Sequence, residues 1–268
     1  MRALLSFLML FAACARPQSL DDGGAAPRCT VTDEAVTCAP RIDTVDGRDV
    51  YWQQPVGAPP ERGWPVVLVF QGSFFGPSST WNTVPRDLAF GGYHQAKLQA
   101  ALLEQGFTVI APSALAGIAW QTNTGTPWEL TFDRGFIEQL LAAMDRGDFG
   151  PIDPTRRYAT GISSGGYMTS RMALSYAGKF RALAIQSASW ATCAGLACAL
   201  PATLPGDHPP TRLLHGRGDL TVPLSTAEAY AGALVAEGHV AELVVDDTVG
   251  HQWLPAAPEL IVDWFQTH

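Results

Sequence analysis

Apolar and polar residues alternate in blocks along this chain, and the blocks have the lengths of strands and helices. The run 65–70 (PVVLVF) is continuously apolar, which is typical of a strand buried on both faces of a sheet. The segment 132–146 instead brings Phe136, Leu140 and Ala143 to one side of a helix. Strand and helix blocks follow one another to the end of the chain. The pattern therefore predicts an α/β protein with a mostly parallel central sheet and helices on both faces.

The same patterns give the individual elements. Gly106 is expected to end the first long helix, because glycine readily adopts the left-handed backbone found just after a helix. No internal repeat is visible, so residues 29–268 are predicted to form a single domain. The predicted strands are 48–53, 65–70, 107–111, 157–160, 181–186, 211–214 and 240–245. The predicted helices are 93–105, 132–146, 165–176, 224–237 and 258–265.

The first 28 residues have the pattern of an export signal and a linker. Arg2 precedes an uncharged apolar run that is too short to span a bilayer as a helix. The run ends in Ala12-Ala13-Cys14, which resembles the lipobox of bacterial lipoproteins and makes Cys14 the expected lipidation site. Ordinary cleavage after Ala15 is the alternative. Residues 1–14 are thus interpreted as the signal and lipobox region and 15–28 as a flexible tether, which predicts an exported protein, either lipid-anchored or freely secreted.

Composition narrows the possible partners. Hydrophobic residues make up 47% of the chain, enough for a core, and the net charge is -8 without any basic cluster. Nucleic acid is therefore not an expected partner, because phosphate binding requires clustered Lys and Arg. The cysteines after residue 28 are predicted to form two disulfides in an oxidising compartment, Cys29–Cys38 and Cys193–Cys198. The spacings of a zinc site do not occur in the sequence, so no metal is expected.

A glycine-rich turn carries the candidate nucleophile. The sequence 161–166 (GISSGG) lies between a predicted strand and a predicted helix, which is the setting of the nucleophile elbow in the α/β-hydrolase fold. Ser163 is the predicted nucleophile, and Ser164 is the weaker candidate because no glycine stands two residues before it. The N–H of Ser164 opens the helix and is an expected oxyanion donor. The alternative is an ordinary turn with solvent-facing serines.

The order serine, acid, histidine along the chain selects the other two members of a catalytic triad. His251 lies in a loop before the last predicted helix, from which its ring can reach back to the turn. Asp219 follows the strand 211–214 and precedes His251, so it is the predicted acid that orients the imidazole. The weaker candidates for the acid are Asp207, Asp246 and Asp247.

The loop after the strand 65–70 is expected to supply the second oxyanion donor. We predict that this donor is the backbone N–H of Ser73 or Phe74. Trp120 and Trp253 fall in loops at the expected catalytic edge, where flat aromatic rings would contact an acyl chain. Gln71 is predicted to contact substrate as well. The alternative is that these tryptophans fill the core and do not contact substrate.

These motifs together resemble those of a known enzyme family. The stretch 158–168 (YATGISSGGYM) resembles the elbow of the polyhydroxybutyrate depolymerase family of esterases, 214–223 resembles its acid loop, and 250–253 (GHQW) resembles its histidine loop. The resemblance runs from about Arg48 to the C-terminus. Gln71 departs from the family, since many members carry histidine there.

The resemblance implies an exported serine carboxylic ester hydrolase that needs no cofactor and works through an acyl-enzyme. Its substrates would be polyhydroxyalkanoate polyesters or oligomers, with feruloyl esters or acetylated xylan as alternatives. No appended polymer-binding module is recognised, which favours oligomers or soluble esters. Two other hypotheses stay open: a serine peptidase of the prolyl-oligopeptidase type, which shares the Ser-Gly-Gly elbow, and an inactive binding lipoprotein on the same scaffold.

Overall fold

The computed structural model describes residues 26–194 and 197–268. The predicted signal region 1–14, Cys14 and tether residues 15–25 lie outside the described residues. The strands in chain order are β1 (Cys29–Val31), β2 (Ala35–Cys38), β3 (Arg41–Val45), β4 (Arg48–Gln53), β5 (Trp64–Phe70), β6 (Asn82–Pro85), β7 (Thr108–Pro112), β8 (Ile152–Ile162), β9 (Ala182–Gln186), β10 (Thr211–Gly216) and β11 (Ala241–Asp246). The helices are α1 (Pro77–Thr80), α2 (Gly92–Glu104), α3 (Phe132–Arg146), α4 (Ser164–Ser175), α5 (Leu224–Ala236) and α6 (Ala257–Thr267).

Eight of these strands form the central sheet, in the order β11-β10-β9-β8-β5-β7-β4-β3. The strands from β11 to β7 in that order are parallel, and β4 and β3 continue the sheet in antiparallel pairing. Side chains of β5 alternate between the two faces, as expected for a strand. Val67 and Val69 pack with residues of α2 and α6, while Leu68 and Phe70 pack with residues of α3 and α4. The predicted mostly parallel sheet with helices on both faces is therefore confirmed.

All the predicted strands and helices are present, with ends that differ by a few residues. The helix predicted over 132–146 has those bounds, whereas β8 begins at Ile152, five residues before the predicted start at 157. Gly106 ends α2 as expected, with a φ of 84°. Its N–H donates to the Leu103 carbonyl at 3.3 Å, and the Phe107 N–H donates to the Leu102 carbonyl at 2.9 Å. This pair of bonds is the Schellman motif, which satisfies carbonyls that the helix leaves free.

A second sheet, in the order β1-β2-β6, was not predicted from the sequence pattern. In this antiparallel sheet Cys29 lies opposite Cys38, and the two form a disulfide. Cys193 and Cys198 form another, so both predicted disulfides are present. The small sheet packs on α2 through Val36 and Val84, which extends the core on that face.

The last residue of the predicted tether is held against the body of the protein. Arg28 donates hydrogen bonds to the carbonyls of Gln54, at 3.1 Å, and Pro55, at 3.4 Å. These bonds lie at the predicted boundary between tether and domain, and the prediction of a tether over residues 15–28 stays a prediction. Within the described ranges, no helix combines the length and the apolar character needed to cross a membrane.

Candidate active site

Ser163 occupies a sharp turn between β8 and α4. Its backbone has φ 55° and ψ −122°, a strained conformation for a residue with a side chain. A Cβ on Gly161 would lie 2.5 Å from the Gly165 carbonyl oxygen, and a Cβ on Gly165 would collide with the Phe70 carbonyl. Glycine is needed at both positions because neighbouring backbone fills that space. The turn thus presents Ser163 at the carboxyl edge of the sheet, as the elbow motif predicts.

Ser164, the weaker candidate for the nucleophile, is differently placed. Its side chain is buried, and its Oγ accepts a hydrogen bond from the Trp120 N–H at 2.8 Å. The backbone N–H of Ser164 is at the first position of α4, where helical N–H groups have no carbonyl to bond within the helix. It has no hydrogen-bond partner among the described residues, so it is available to an anion.

Asp219 is buried in the turn after β10 and bonds His251. Its Oδ1 accepts the N–H groups of Thr221, at 2.9 Å, and Val222, at 2.8 Å. Its Oδ2 accepts from Nδ1 of His251 at 2.7 Å. Because a carboxylate accepts at Nδ1, the neutral ring carries its proton there and leaves Nε2 free as a base. This is the orientation that a triad acid provides.

The surroundings of Asp219 favour its ionised form. Burial by itself raises the pKa of this carboxyl, but hydrogen bonds from His215, His251 and the Val222 N–H outweigh burial and hold the pKa well below its usual range. His215 is fully buried, with Nε2 at 3.4 Å from Oδ2 of Asp219 and 2.9 Å from the Val222 carbonyl oxygen. Asp219 is therefore a carboxylate at neutral pH.

The other candidate acids have other partners. Asp247 is exposed and pairs with Arg217 at 2.6 Å. Asp246 accepts the N–H and the hydroxyl of Thr248, at 2.8 and 2.6 Å. Asp207 is exposed in the loop before β10. Asp219 is the candidate that the fold brings to the His251 ring.

Ser163 and His251 line one cavity of about 250 Å³. No hydrogen bond joins Oγ of Ser163 to Nε2 of His251, and neither atom has another partner in the part of the chain that the structure describes. Such bonds are often long without substrate and tighten when it binds. The other residues that line the cavity are Gly72, Ser73, Phe74, Phe75, Thr80, Ala89, Phe90, Gly92, Gln95, Ile162, Thr221 and Trp253.

The loop after β5 leaves one of the two predicted oxyanion donors free. The Phe75 N–H donates to the Gly72 carbonyl at 3.4 Å, and Phe74 has a φ of 65°, which is typical of the third residue of a type II turn. The Phe74 N–H donates to the Ile118 carbonyl at 2.7 Å. Phe74 as a donor was therefore a wrong expectation. The Ser73 N–H has no partner within residues 26–194 and 197–268 and stays the candidate.

Gln71 and Trp120 do not reach the cavity, so the prediction that they contact substrate is wrong. Gln71 is buried, and its amide bonds the carbonyls of Gly72, at 3.2 Å, and Gly117, at 3.1 Å, and the Ala114 N–H, at 3.0 Å. The buried Trp120 ring donates from Nε1 to the Gln71 carbonyl at 3.1 Å. Their polar atoms are satisfied inside the protein, where they hold the loop in place.

Trp253 forms part of the cavity wall beside the histidine. Its ring is buried, with Nε1 donating to Oε1 of Gln95 at 3.0 Å, and its N–H donates to the Phe90 carbonyl at 3.0 Å. The sequence did not indicate Phe75 or Phe90 as lining residues. Their rings meet edge to face at 5.0 Å, and the Phe90 ring lies 6.2 Å from that of His251. Phe75 could have been suspected from its place beside the predicted oxyanion loop, whereas no motif marks Phe90.

The strained serine follows β8, a central strand of the parallel sheet, and the aspartate follows β10, two strands away in the sheet, as in the α/β-hydrolases. Solved structures agree with that fold. Esterase 2 of Thermogutta terrifontis, phosphorylated by paraoxon, has a TM-score of 0.59 and 15% identity over 92% of this chain and 97% of that chain. Acylaminoacyl peptidase of Pyrococcus horikoshii has a TM-score of 0.59 and 14% identity over 85% of this chain and 41% of that chain.

Sequence comparison identifies the family. No protein-family model matches the chain. A poly(3-hydroxyoctanoate) depolymerase of Pseudomonas fluorescens is 43% identical over 100% of this chain and 99% of its own length. Feruloyl esterase C of Emericella nidulans is 25% identical over 87% of this chain and 75% of its own length. The chain belongs to the polyhydroxyalkanoate depolymerase family and is a serine carboxylic ester hydrolase, which confirms the resemblance seen in the motifs.

Proposed function

We propose that this enzyme hydrolyses esters of medium-chain 3-hydroxyalkanoic acids, as polyester or as oligomers, through an acyl-enzyme on Ser163. The observation that carries the proposal is the shared cavity: the Ser163 hydroxyl and the His251 ring, which Asp219 orients, open into a space whose lining surface is mostly apolar. An apolar wall favours an alkyl group over a sugar or a charged residue. The name of the 43% identical Pseudomonas relative supports the same substrate class.

The reaction takes two acyl transfers. Nε2 of His251 accepts the Ser163 proton as Oγ attacks the ester carbonyl, and the imidazolium is stabilised by the Asp219 carboxylate. The N–H groups of Ser164 and Ser73 stabilise the oxyanion of the tetrahedral intermediate. The intermediate collapses as His251 protonates the leaving alkoxide. Water, deprotonated by His251, then attacks the acyl-enzyme, and His251 returns that proton to the departing Oγ of Ser163 as the hydroxy acid is released.

Export is part of the proposal. Both disulfides support an oxidising compartment, because cytosolic proteins rarely keep such bonds. The signal pattern of residues 1–14 supports the same location, with Cys14 as the site of lipidation if the protein is anchored. Incubating cells with labelled palmitate tests this detail: label on wild-type protein and none on Cys14→Ser supports an anchor, whereas unlabelled protein in the medium contradicts it.

The substrate is tested with an ester panel. We expect kcat/KM for p-nitrophenyl octanoate to exceed that for p-nitrophenyl butyrate by about tenfold to a hundredfold, since burial of about two or three of the additional methylenes at about 0.8 kcal/mol each gives this range. Oligomers of 3-hydroxyoctanoate should be cleaved faster than oligomers of 3-hydroxybutyrate, and Ser163→Ala should cleave neither. Faster cleavage of feruloyl esters or acetylated xylan would contradict the substrate class. Cleavage of proline anilides would indicate a peptidase.

A further inference from the structure

Gln186 lies at the end of β9, the strand between the nucleophile strand β8 and the acid strand β10. In the sheet register it is beside Ile162 on one neighbour and Leu214 on the other. The side chain is fully buried. Burying an amide costs free energy unless its polar atoms find partners, and an apolar side chain of similar size avoids this requirement. An amide at this position therefore calls for an explanation.

The partners of Gln186 come from each segment that carries a candidate catalytic residue. Its Nε2 donates to the Leu214 carbonyl on β10 at 3.1 Å, and its Oε1 accepts the Leu254 N–H of the histidine loop at 3.2 Å. Its backbone carbonyl accepts the N–H of Ser163 at 3.0 Å. One buried residue is thus bonded to the nucleophile itself, to the acid strand and to the loop that follows His251.

Ser187 strengthens the connection to the histidine loop. Its Oγ accepts from Nε2 of Gln186 at 2.9 Å and donates to the carbonyl of Gln252, the residue after His251, at 3.2 Å. Its N–H donates to the Leu214 carbonyl at 2.9 Å. Ser187 has a φ of 48°, an uncommon value for a residue other than glycine that persists where contacts hold it. The backbone just after His251 is therefore fixed to the end of β9.

We propose that Gln186 is a positioning residue, which sets the place of His251 relative to Ser163 by fixing the histidine loop to the strand beside the nucleophile. The inference rests on the proposed function. His251 lies outside the strands and helices, so its backbone is held by bonds made by its loop, and those to Gln186 and Ser187 link the loop to the end of β9. A displacement of about 1 Å in a reacting group can lower a rate about a hundredfold, which makes these bonds matter for catalysis rather than for folding alone.

The test compares Gln186→Met with Gln53→Met. Both substitutions replace a buried glutamine by an apolar side chain of similar length, and the Gln186 carbonyl bond to Ser163 is kept. Gln53 lies on β4, away from the site, and its Nε2 donates to the Ala39 carbonyl at 2.7 Å. With p-nitrophenyl octanoate, Gln186→Met should lower kcat about a hundredfold with KM within about twofold of wild type. Gln53→Met should leave both unchanged while lowering Tm to a similar extent.

A kcat for Gln186→Met within about twofold of that for Gln53→Met would overturn the inference, because a structural role alone affects Tm and not kcat. If Gln186→Met does not fold, Ser187→Ala replaces it. That variant removes only the bond to the Gln252 carbonyl and one partner of Gln186, and we expect about tenfold lower kcat. An unchanged kcat would overturn the inference.

Ser163→Ala separates the two proposals. If Ser163→Ala is inactive while Gln186→Met keeps full kcat, the positioning role alone is contradicted. If Ser163→Ala retains activity, the proposed function itself is contradicted.

Discussion

The two sides of the cavity are built in different ways. On one side, Asp219 and His251 bond each other, and the loop that carries His251 is bonded to the end of β9 through Gln186 and Ser187. On the other side, the phenylalanines stand on irregular segments after β5 and before α2, and two of them, Phe74 and Phe90, have positive φ values of 65° and 57°. Phe74 is 75% exposed and Phe90 48% exposed, whereas Asp219 is 6% exposed.

This contrast indicates a division of tasks. Proton transfer requires atoms held within a few tenths of an ångström, which buried hydrogen bonds at a sheet edge provide. The fit of an acyl chain depends on apolar area and tolerates small shifts, so loop residues suffice for it. We infer that the acid–histidine side carries the proton transfers and that the phenylalanine rings of the other side select the acyl group. Substitutions of the acid or the histidine and substitutions of the phenylalanines should then differ in which kinetic constant they change.

The largest effect is expected for Asp219→Asn. An amide at this position leaves the geometry nearly intact but favours the wrong tautomer of His251, and in a comparable triad this lowers kcat by about 10⁴-fold. The measurement is kcat on p-nitrophenyl octanoate. Asp247→Asn is the control, since that carboxylate pairs with Arg217 at the surface, and it should be harmless. If Asp247→Asn were the damaging variant, the acid assignment would be wrong.

A smaller effect is expected for Ser73→Pro, which tests the oxyanion donor on the loop side. Ser73 is the second residue of the turn from Gly72 to Phe75, a position that accepts proline in a type II turn. Proline therefore keeps the turn and removes the N–H, and we expect kcat to fall by about 10²–10³-fold. Ser73→Ala keeps the N–H and should behave like wild type. Equal activity of the two variants would exclude this donor.

Phe90→Ala should change selectivity rather than turnover. Removing the ring opens the wall beside Phe75, so we expect the preference for octanoate over butyrate, as a ratio of kcat/KM, to fall about tenfold. Turnover of the butyrate ester should stay near the wild-type value. Phe132→Ala is the control, because that exposed ring does not line the cavity. A large fall in kcat with both esters would mean that Phe90 helps to hold His251, and the two sides would not be separable.

The smallest effect on catalysis is expected for a region that belongs to neither side. Replacing Cys29 and Cys38 by serine removes a disulfide between residues nine apart, which should lower the free energy of unfolding by about 2–3 kcal/mol. Thermal unfolding should report this loss, while kcat and KM at 25 °C stay unchanged. A loss of kcat together with the loss of stability would show that the small sheet helps to hold the active site in place.

Much of the fold was predictable because burial and periodicity repeat along the chain. The strand 65–70 and the helix 132–146 each carry their own signal, in an apolar run and in spaced core residues. The small sheet β1-β2-β6 has no such signal. Its strands are short, β6 includes Pro85, and the pairing of β2 with β6 joins segments about 46 residues apart, which local pattern cannot indicate.

The candidate site was predictable where chemistry fixes residue type and order. Ser163, Asp219 and His251 follow from a turn motif, strand ends and chain order. Gln71 and Trp120 were placed correctly at the edge of the sheet, but sequence does not show which way a side chain points, and both point into the protein. Phe90 was missed because its contact with His251 depends on a left-handed backbone that phenylalanine rarely adopts.

Covalent modification tests the central claim most directly. Incubation with diethyl p-nitrophenyl phosphate, followed by peptide fragmentation in a mass spectrometer, locates the reactive hydroxyl. We predict one diethylphosphoryl group per chain, on Ser163, with esterase activity lost in proportion to labelling and with labelling slowed in His251→Ala. A phosphoryl group on Ser164 or elsewhere, or an inactivated enzyme with Ser163 unmodified, would contradict the account.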